Sequence, residues 1–131
     1  HRTCGAFLAI VKMKKSSQGE PQQAIMAALG TEFYTKYVIV VDEDVDIFNT
    51  DAMLWAVATR VQWSRDSIVV SGLSGSALDP SLPEGVSVTD KMGIDATNKW
   101  PGETSREWGR TITMDADVKA RVDQIWQELG L

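Results

Sequence analysis

Histidine and cysteine are nearly absent: the 131 residues hold one of each, His1 and Cys4. A single cysteine excludes an internal disulfide and favours a reducing, cytoplasmic setting. Both residues fall in a chain-end segment, which is ordered only when something ties it down, so a His–Cys catalytic pair is a poor reading and Cys4 reads as an inert small residue beside the first strand. Long apolar runs are also missing. No stretch approaches the roughly 20 residues that a membrane helix requires, and His1-Arg2-Thr3-Cys4 lacks the apolar core of a signal peptide. Basic charge is in deficit, with 13 Lys and Arg against 18 Asp and Glu and a net charge of -5. That balance excludes broad phosphate contacts with nucleic acid, and the run Lys12, Lys14, Lys15 is too short to reverse it.

What is present suits one soluble domain: 44% apolar and 24% charged residues in a chain long enough to bury a single core. Ala6 to Met13 is apolar on both alternating faces and predicts a strand covered on each side. After a polar, turn-rich stretch from Lys14 to Gly19, Pro21 sits in a first helical turn. Ile25, Ala28 and Leu29 then recur at helical spacing up to a terminating Gly30. Tyr37-Val38-Ile39-Val40-Val41, ending in Asp42, has the β-branched character of a central parallel strand. Asn49 is placed to cap a second helix, with Asp51 at its positive end and Leu54, Val57, Ala58 and Val61 as the inward stripe. A third strand is expected from Asp66 to Val70, a loop rich in Gly, Ser and Pro from Ser71 to Glu84, and a shorter strand around Met92 to Ala96. An irregular stretch precedes a last amphipathic helix starting at Thr113 or Asp115, with Val118, Val122, Ile125, Trp126 and Leu129 on one stripe. The alternation of strand and helix predicts a three-layer α/β/α domain, 1–131, with a mostly parallel sheet and right-handed crossovers.

Two polar clusters invite chemistry. Asp42, Glu43, Asp44 and Asp46 offer oxygen ligands to a hard cation, but the glycine and distal glutamate of a calcium loop are lacking. The cluster therefore reads as a strand end whose carboxylates fix a turn. A receiver-like phosphorylation site on Asp42 and Asp44 lacks a suitably placed lysine. Gly72-Leu73-Ser74-Gly75-Ser76 suggests a phosphate loop, yet neither the expected Lys nor a helix follows. Among the tryptophans, Trp126 reads as a packing residue on the last stripe, within the chain or against another subunit, while Trp55 and Trp63 flank the second helix, with core packing favoured for each and partial exposure the alternative.

Taken together, several segments resemble the carboxy-terminal domain of UbiD-type decarboxylases. They are Ala9 to Lys15 (AIVKMKK), Ala27-Ala28-Leu29-Gly30, Tyr37 to Asn49 (YVIVVDEDVDIFN), Leu54 to Arg60 (LWAVATR), Leu78-Asp79-Pro80 and Lys91 to Thr97 (KMGIDAT), in family order over nearly the whole chain. The VDEDVDIFN stretch followed by WAVATR is the most specific part.

The resemblance implies a non-oxidative decarboxylation of an aromatic or α,β-unsaturated acid, in which prenylated FMN acts as electron sink beside a divalent metal, Mn or Mg. It also implies that the catalytic Glu-Arg-Glu set and the metal ligands belong to a preceding split-barrel domain. No catalytic, cofactor-binding or metal-binding residue is therefore assigned to this chain, which is expected to be inactive and free of flavin in isolation. What carries over is the substrate pocket: Leu78 at the position of the leucine that closes over the substrate, Ser76 where some relatives have a bulky aromatic, and Phe33 at another pocket-facing position. The expected partners are the remaining domains of the same enzyme and further copies in a homodimer or larger homo-oligomer, with no nucleic acid and no membrane span. The alternative is a noncatalytic interaction or regulatory subunit that dimerises through its last helix.

Overall fold

The computed structural model describes residues 5–31, 33–109 and 111–130, so His1 and Cys4 lie outside the described residues. After a short 3-10 turn at Gly5–Phe7 come β1 (Leu8–Met13), α1 (Glu20–Thr31), β2 (Tyr37–Asp42), α2 (Thr50–Arg60), α3 (Trp63–Asp66), β3 (Ser67–Ser74), β4 (Val88–Ala96) and α4 (Ala116–Glu128). The sheet order is β1-β2-β4-β3. β2 pairs in parallel with β1 and β4, in registers such as Ile10↔Ile39 and Ile39↔Ile94, whereas β3 runs antiparallel to β4.

The alternation along β2 builds three layers. Val38 and Val40 pack with Ile25 and Leu29 of α1, while Val41 packs with Met53 and Ala56 of α2 on the opposite face. Val38, Val40 and Val41 are fully buried, each stabilising the fold by roughly 1.5–3 kcal/mol through loss of apolar surface to water. On the α1 side the layers meet closely at Gly93. A Cβ there would lie 2.0 Å from Cγ2 of Ile25.

Several expectations are corrected. β1 is an edge strand, only partly buried and starting at Leu8, because Gly5–Phe7 turn before it. α1 continues past Gly30 to Thr31. β3 does not follow a right-handed crossover into the parallel set; it forms a long hairpin with β4. The expected loop therefore begins after Ser74, and β4 starts at Val88. A register shift separates Val70 from Leu73, and Gly72 adopts φ 77° within it, a left-handed conformation that glycine reaches without a Cβ penalty. The inward face of α2 is Met53, Ala56 and Arg60, joined by the expected Val57 and, just past the helix, Val61. Leu54 and Ala58 point outward, one residue around from the expected stripe.

Asn49 does cap α2, its Oδ1 accepting from the amides of Asp51 and Ala52 at 2.9 and 3.2 Å. α4 begins after Asp115, its N-cap residue, and all its residues are exposed. Its stripe of Val118, Val122, Ile125, Trp126 and Leu129 is uncovered, so Trp126 is not packed within this chain. Trp55 and Trp63 are exposed rather than packed in the core. No described helix is long and apolar enough to cross a membrane.

Gly93→Ala is expected to destabilise the domain by about 1–3 kcal/mol, because the added methyl overpacks the contact with Ile25. Thermal unfolding of the purified variant checks this, and an unchanged midpoint would show that α1 does not sit so closely on β4.

Candidate functional site

The two ends of the sheet differ in chemistry. At the carboxyl ends of the parallel strands, buried charges are paired with one another. Arg60 of α2 reaches back to the end of β2, its guanidinium 3.3 Å from Oδ2 of Asp42 and 2.5 Å from Oδ2 of Asp44. The Asn98 amide donates to Asp42 at 2.5 Å. Beyond β1, Lys15 donates to Glu103 at 2.5 Å and stands over the Trp100 ring. After β4, Lys99 lies 3.2 Å from carboxylate oxygens of both Asp66 and Asp95. Asp66 also takes two 2.7 Å bonds from Arg65 and one from the Gln62 amide, and Asp95 accepts from the amide and hydroxyl of Thr97.

This is the end at which open α/β sheets commonly receive ligands. Its buried donors do not fit a flavin phosphate. Lys15, Lys99 and Arg60 are each committed to carboxylates, and the Gly72–Gly75 stretch lies in β3 and the loop after it, away from a helix amino terminus. Among the described residues no three His, Cys, Asp or Glu side chains converge as metal ligands. The Asp42–Asp46 cluster instead works as a turn: Asp42 and Asp44 hold Arg60, the Asp42 carbonyl accepts from Val45, and Asp46 accepts from the Phe48 amide.

At the opposite end lie the three residues expected to line a pocket. Phe33 is in the segment before β2, half-exposed and tilted against Tyr34 with ring centroids 4.1 Å apart. Ser76 and Leu78 are in the loop joining β3 to β4. Because Tyr37 pairs with Met92, β4 begins four residues before the point where β2 starts, so that loop and the Phe33 segment share the amino-terminal end. Leu78 is 72% exposed. Ser76 is buried, and its Oγ accepts from the Leu78 amide at 3.1 Å. A cleft of about 370 Å³ opens beside Phe33, between the end of α1, Leu73 and Ser74 of β3, and Lys91.

The two segments are joined by Lys36, which sequence reasoning missed. Its ammonium is 2.7 Å from Oδ2 of Asp79 and 2.5 Å from the Ser81 hydroxyl. Asp79 Oδ1 meanwhile accepts from the amide and hydroxyl of Ser81, and these bonds with Lys36 and Ser81 hold the Asp79 carboxyl down to about 2. The partners are 43 residues apart in the chain, and no local pattern marks the pair.

Comparison with known proteins agrees with this architecture. Residues 1–96 match the family of 3-octaprenyl-4-hydroxybenzoate carboxy-lyase C-terminal domains, and the chain belongs to that family, the carboxy-terminal domain of UbiD enzymes. It is similar to the UbiD-class enzyme HmfF from Pelotomaculum thermopropionicum, solved in complex with FMN, at 36% identity and a TM-score of 0.75, covering 95% of this chain and 28% of that one. Vanillic acid decarboxylase from Sedimentibacter hydroxybenzoicus, in its closed form, shares 30% identity with a TM-score of 0.77 over 92% of this chain and 26% of its own. The 3,4-dihydroxybenzoic acid decarboxylase of Enterobacter cloacae shares 33% identity with a TM-score of 0.71, over 91% and 26%. The chain thus spans little more than a quarter of each relative.

The buried charges generate two expectations. Lys99→Met would leave Asp66 and Asp95 buried without their shared cation, at a cost of about 3–5 kcal/mol. Urea unfolding measures it, and a loss below about 1 kcal/mol would mean that the network is solvated.

The second concerns acid. Hydrogen bonds from Arg60 pull Asp44 below the usual 3.8. Burial pushes Asp66 and Glu103 up, but their bonds to Arg65 and Lys15, with nearby amides, outweigh it and leave both lowered. A lowered folded-state carboxylate contributes stability above its unfolded pKa and loses it as pH falls through the folded value. Asp42, raised by burial against the Asn98 amide and Arg60, acts in the opposite sense. Asp79 and Glu20 are likewise held down, to about 2 each, and with five lowered groups against one, unfolding free energy is expected to decline as pH drops below about 4. A flat profile between about pH 5 and 3 would contradict the pairing.

Proposed function

We propose that this chain is the oligomerisation and active-site-closing domain of a UbiD-type decarboxylase that acts non-oxidatively, in the cytoplasm, on an aromatic or α,β-unsaturated carboxylic acid. Prenylated FMN, held with a divalent metal, Mn or Mg, by the preceding domain, would supply the electron sink. This chain contributes position and water exclusion. The single observation that supports the reading is that Phe33, Ser76 and Leu78 stand at the same end of the sheet, on segments tied together through Lys36 and Asp79. An exposed leucine on a tethered loop is suited to closing over an apolar substrate, because its methyl groups gain burial only when a ligand arrives.

The uncovered stripe of α4 supports the subunit contact. Five large apolar side chains between Val118 and Leu129 are 40–65% exposed on one face, and a helix of this pattern buries that face against a partner. The same stripe would serve a noncatalytic subunit, but that alternative gives no role to Leu78 and Phe33. The isolated chain, lacking a fit for the flavin phosphate, is expected to show no turnover.

Ser76→Phe in the full-length enzyme tests the pocket. Ser76 is buried against the Leu78 amide, so a phenyl ring has to displace the loop or enter the pocket. The expected outcome is a substrate range shifted towards smaller acids, read as kcat/KM across a series of increasing ring size. An unchanged range would overturn the assignment of this loop to the pocket.

A further inference from the structure

We propose that Lys36 and Asp79 form a latch that holds the loop carrying Leu78 in its substrate-closing position, so that both are positioning residues for decarboxylation. The inference rests on the reading of Leu78 given above.

The loop from Gly75 to Ser87 is folded largely on itself. Gly75 donates to the Ser87 carbonyl at its base, Asp79 to Ser76, Leu82 to Asp79 and Val86 to Pro83. Such bonds shape the loop without fixing where it stands relative to the segment bearing Phe33. Lys36 supplies that tie. Its backbone is fastened at both groups, the amide donating to the Phe7 carbonyl at 2.8 Å and the carbonyl accepting from Met92 at 2.9 Å. Its ammonium therefore extends from a fixed point, close to the Tyr37 ring at 5.7 Å, to Asp79 and Ser81.

Asp79 adjoins Leu78 in the chain, and its amide closes the turn on the Ser76 carbonyl while Leu78 bonds the Ser76 hydroxyl. Any displacement of Asp79 therefore carries Leu78 with it. Asp79 is 8% exposed, and shielding of this kind weakens screening by salt. The bonds from Lys36 and Ser81 hold its carboxyl down to about 2, so the acceptor side of the latch stays charged well above that pH. Lys36 and Asp79 touch neither substrate nor flavin in this scheme. They set the fraction of loops already in place.

The consequence is kinetic. A binding-competent loop populated only in part weakens apparent substrate affinity by that fraction, while saturating substrate recaptures the closed position. In the full-length enzyme, Lys36→Met keeps the side-chain stem and Asp79→Asn keeps the acceptor for Ser81, each removing one charge of the pair. Both are expected to raise KM about fivefold or more with kcat within about twofold of the parent. Lys36→Arg, which can still reach the carboxylate, is expected to restore KM to within about twofold.

Leu78→Ala in the same enzyme separates the two levels of the argument. If it raises KM but the two latch variants leave KM unchanged, or lower kcat alone as a loss of folded enzyme would, the latch is wrong and the pocket reading stands. If Leu78→Ala itself leaves KM unchanged, the loop is not a lid and the latch has nothing to hold.

Discussion

The rest of the structure depends on burying β2 from both sides. Val38 and Val40 need α1, and Val41 needs α2, so the chain must cross the sheet twice and leave polar segments only at the strand ends. With those crossovers made, the polar clusters described above fall at one end of the sheet or the other. The two ends then take different roles because their side chains differ.

At the carboxyl end, ionised groups enter the protein and stay only because each finds an opposite charge and further hydrogen bonds. Lys99 between Asp66 and Asp95 is the most enclosed example, with all three side chains at most 2% exposed. Taking these charges out of water is costly, and the pairs offset that cost through geometry rather than adding much net stability. Their gain is in specificity of packing: Arg60 turns α2 so that Met53 and Ala56 face the sheet, and Glu103 anchors the irregular chain after β4 to Lys15. The buried cations at this end are committed to carboxylates, while Lys14 and Arg106 line clefts beside them. The amino-terminal end differs: Leu78 and Phe33 are uncovered there, beside a loop tethered through Lys36 and Asp79.

The sequence was legible where burial follows local period. β2, α1, the Asn49 cap and the last helix could be read from β-branched runs, helical spacing and an amide placed before an apolar stripe, and the family resemblance rested on segments that the comparisons also match. Strand direction was not legible, because Ser67 to Val70 has the same side-chain alternation whether it runs with β4 or against it; the long loop before β4 is what permits a hairpin. The face of α2 was legible in Val57 and Val61 but misjudged in Leu54 and Ala58, because hydrophobicity alone places Arg60 outside, and only its carboxylate partners 16 and 18 residues earlier bring it in. Of the pocket candidates, Ser76, Leu78 and Phe33 came from the resemblance, and their shared end of the sheet emerged from register. The Lys36–Asp79 tie was invisible for the same reason as the Lys99 network. Ion pairs between distant segments leave no periodic trace.

The most direct test is a crystal structure of the full-length enzyme with flavin and a substrate analogue bound. The account predicts that the amino-terminal end of this sheet faces the flavin, with Leu78 in van der Waals contact with the analogue and the Lys36–Asp79 bond intact. A complex in which Arg60, Asp42 and Lys15 face the flavin instead, leaving Leu78 in solvent, would contradict it.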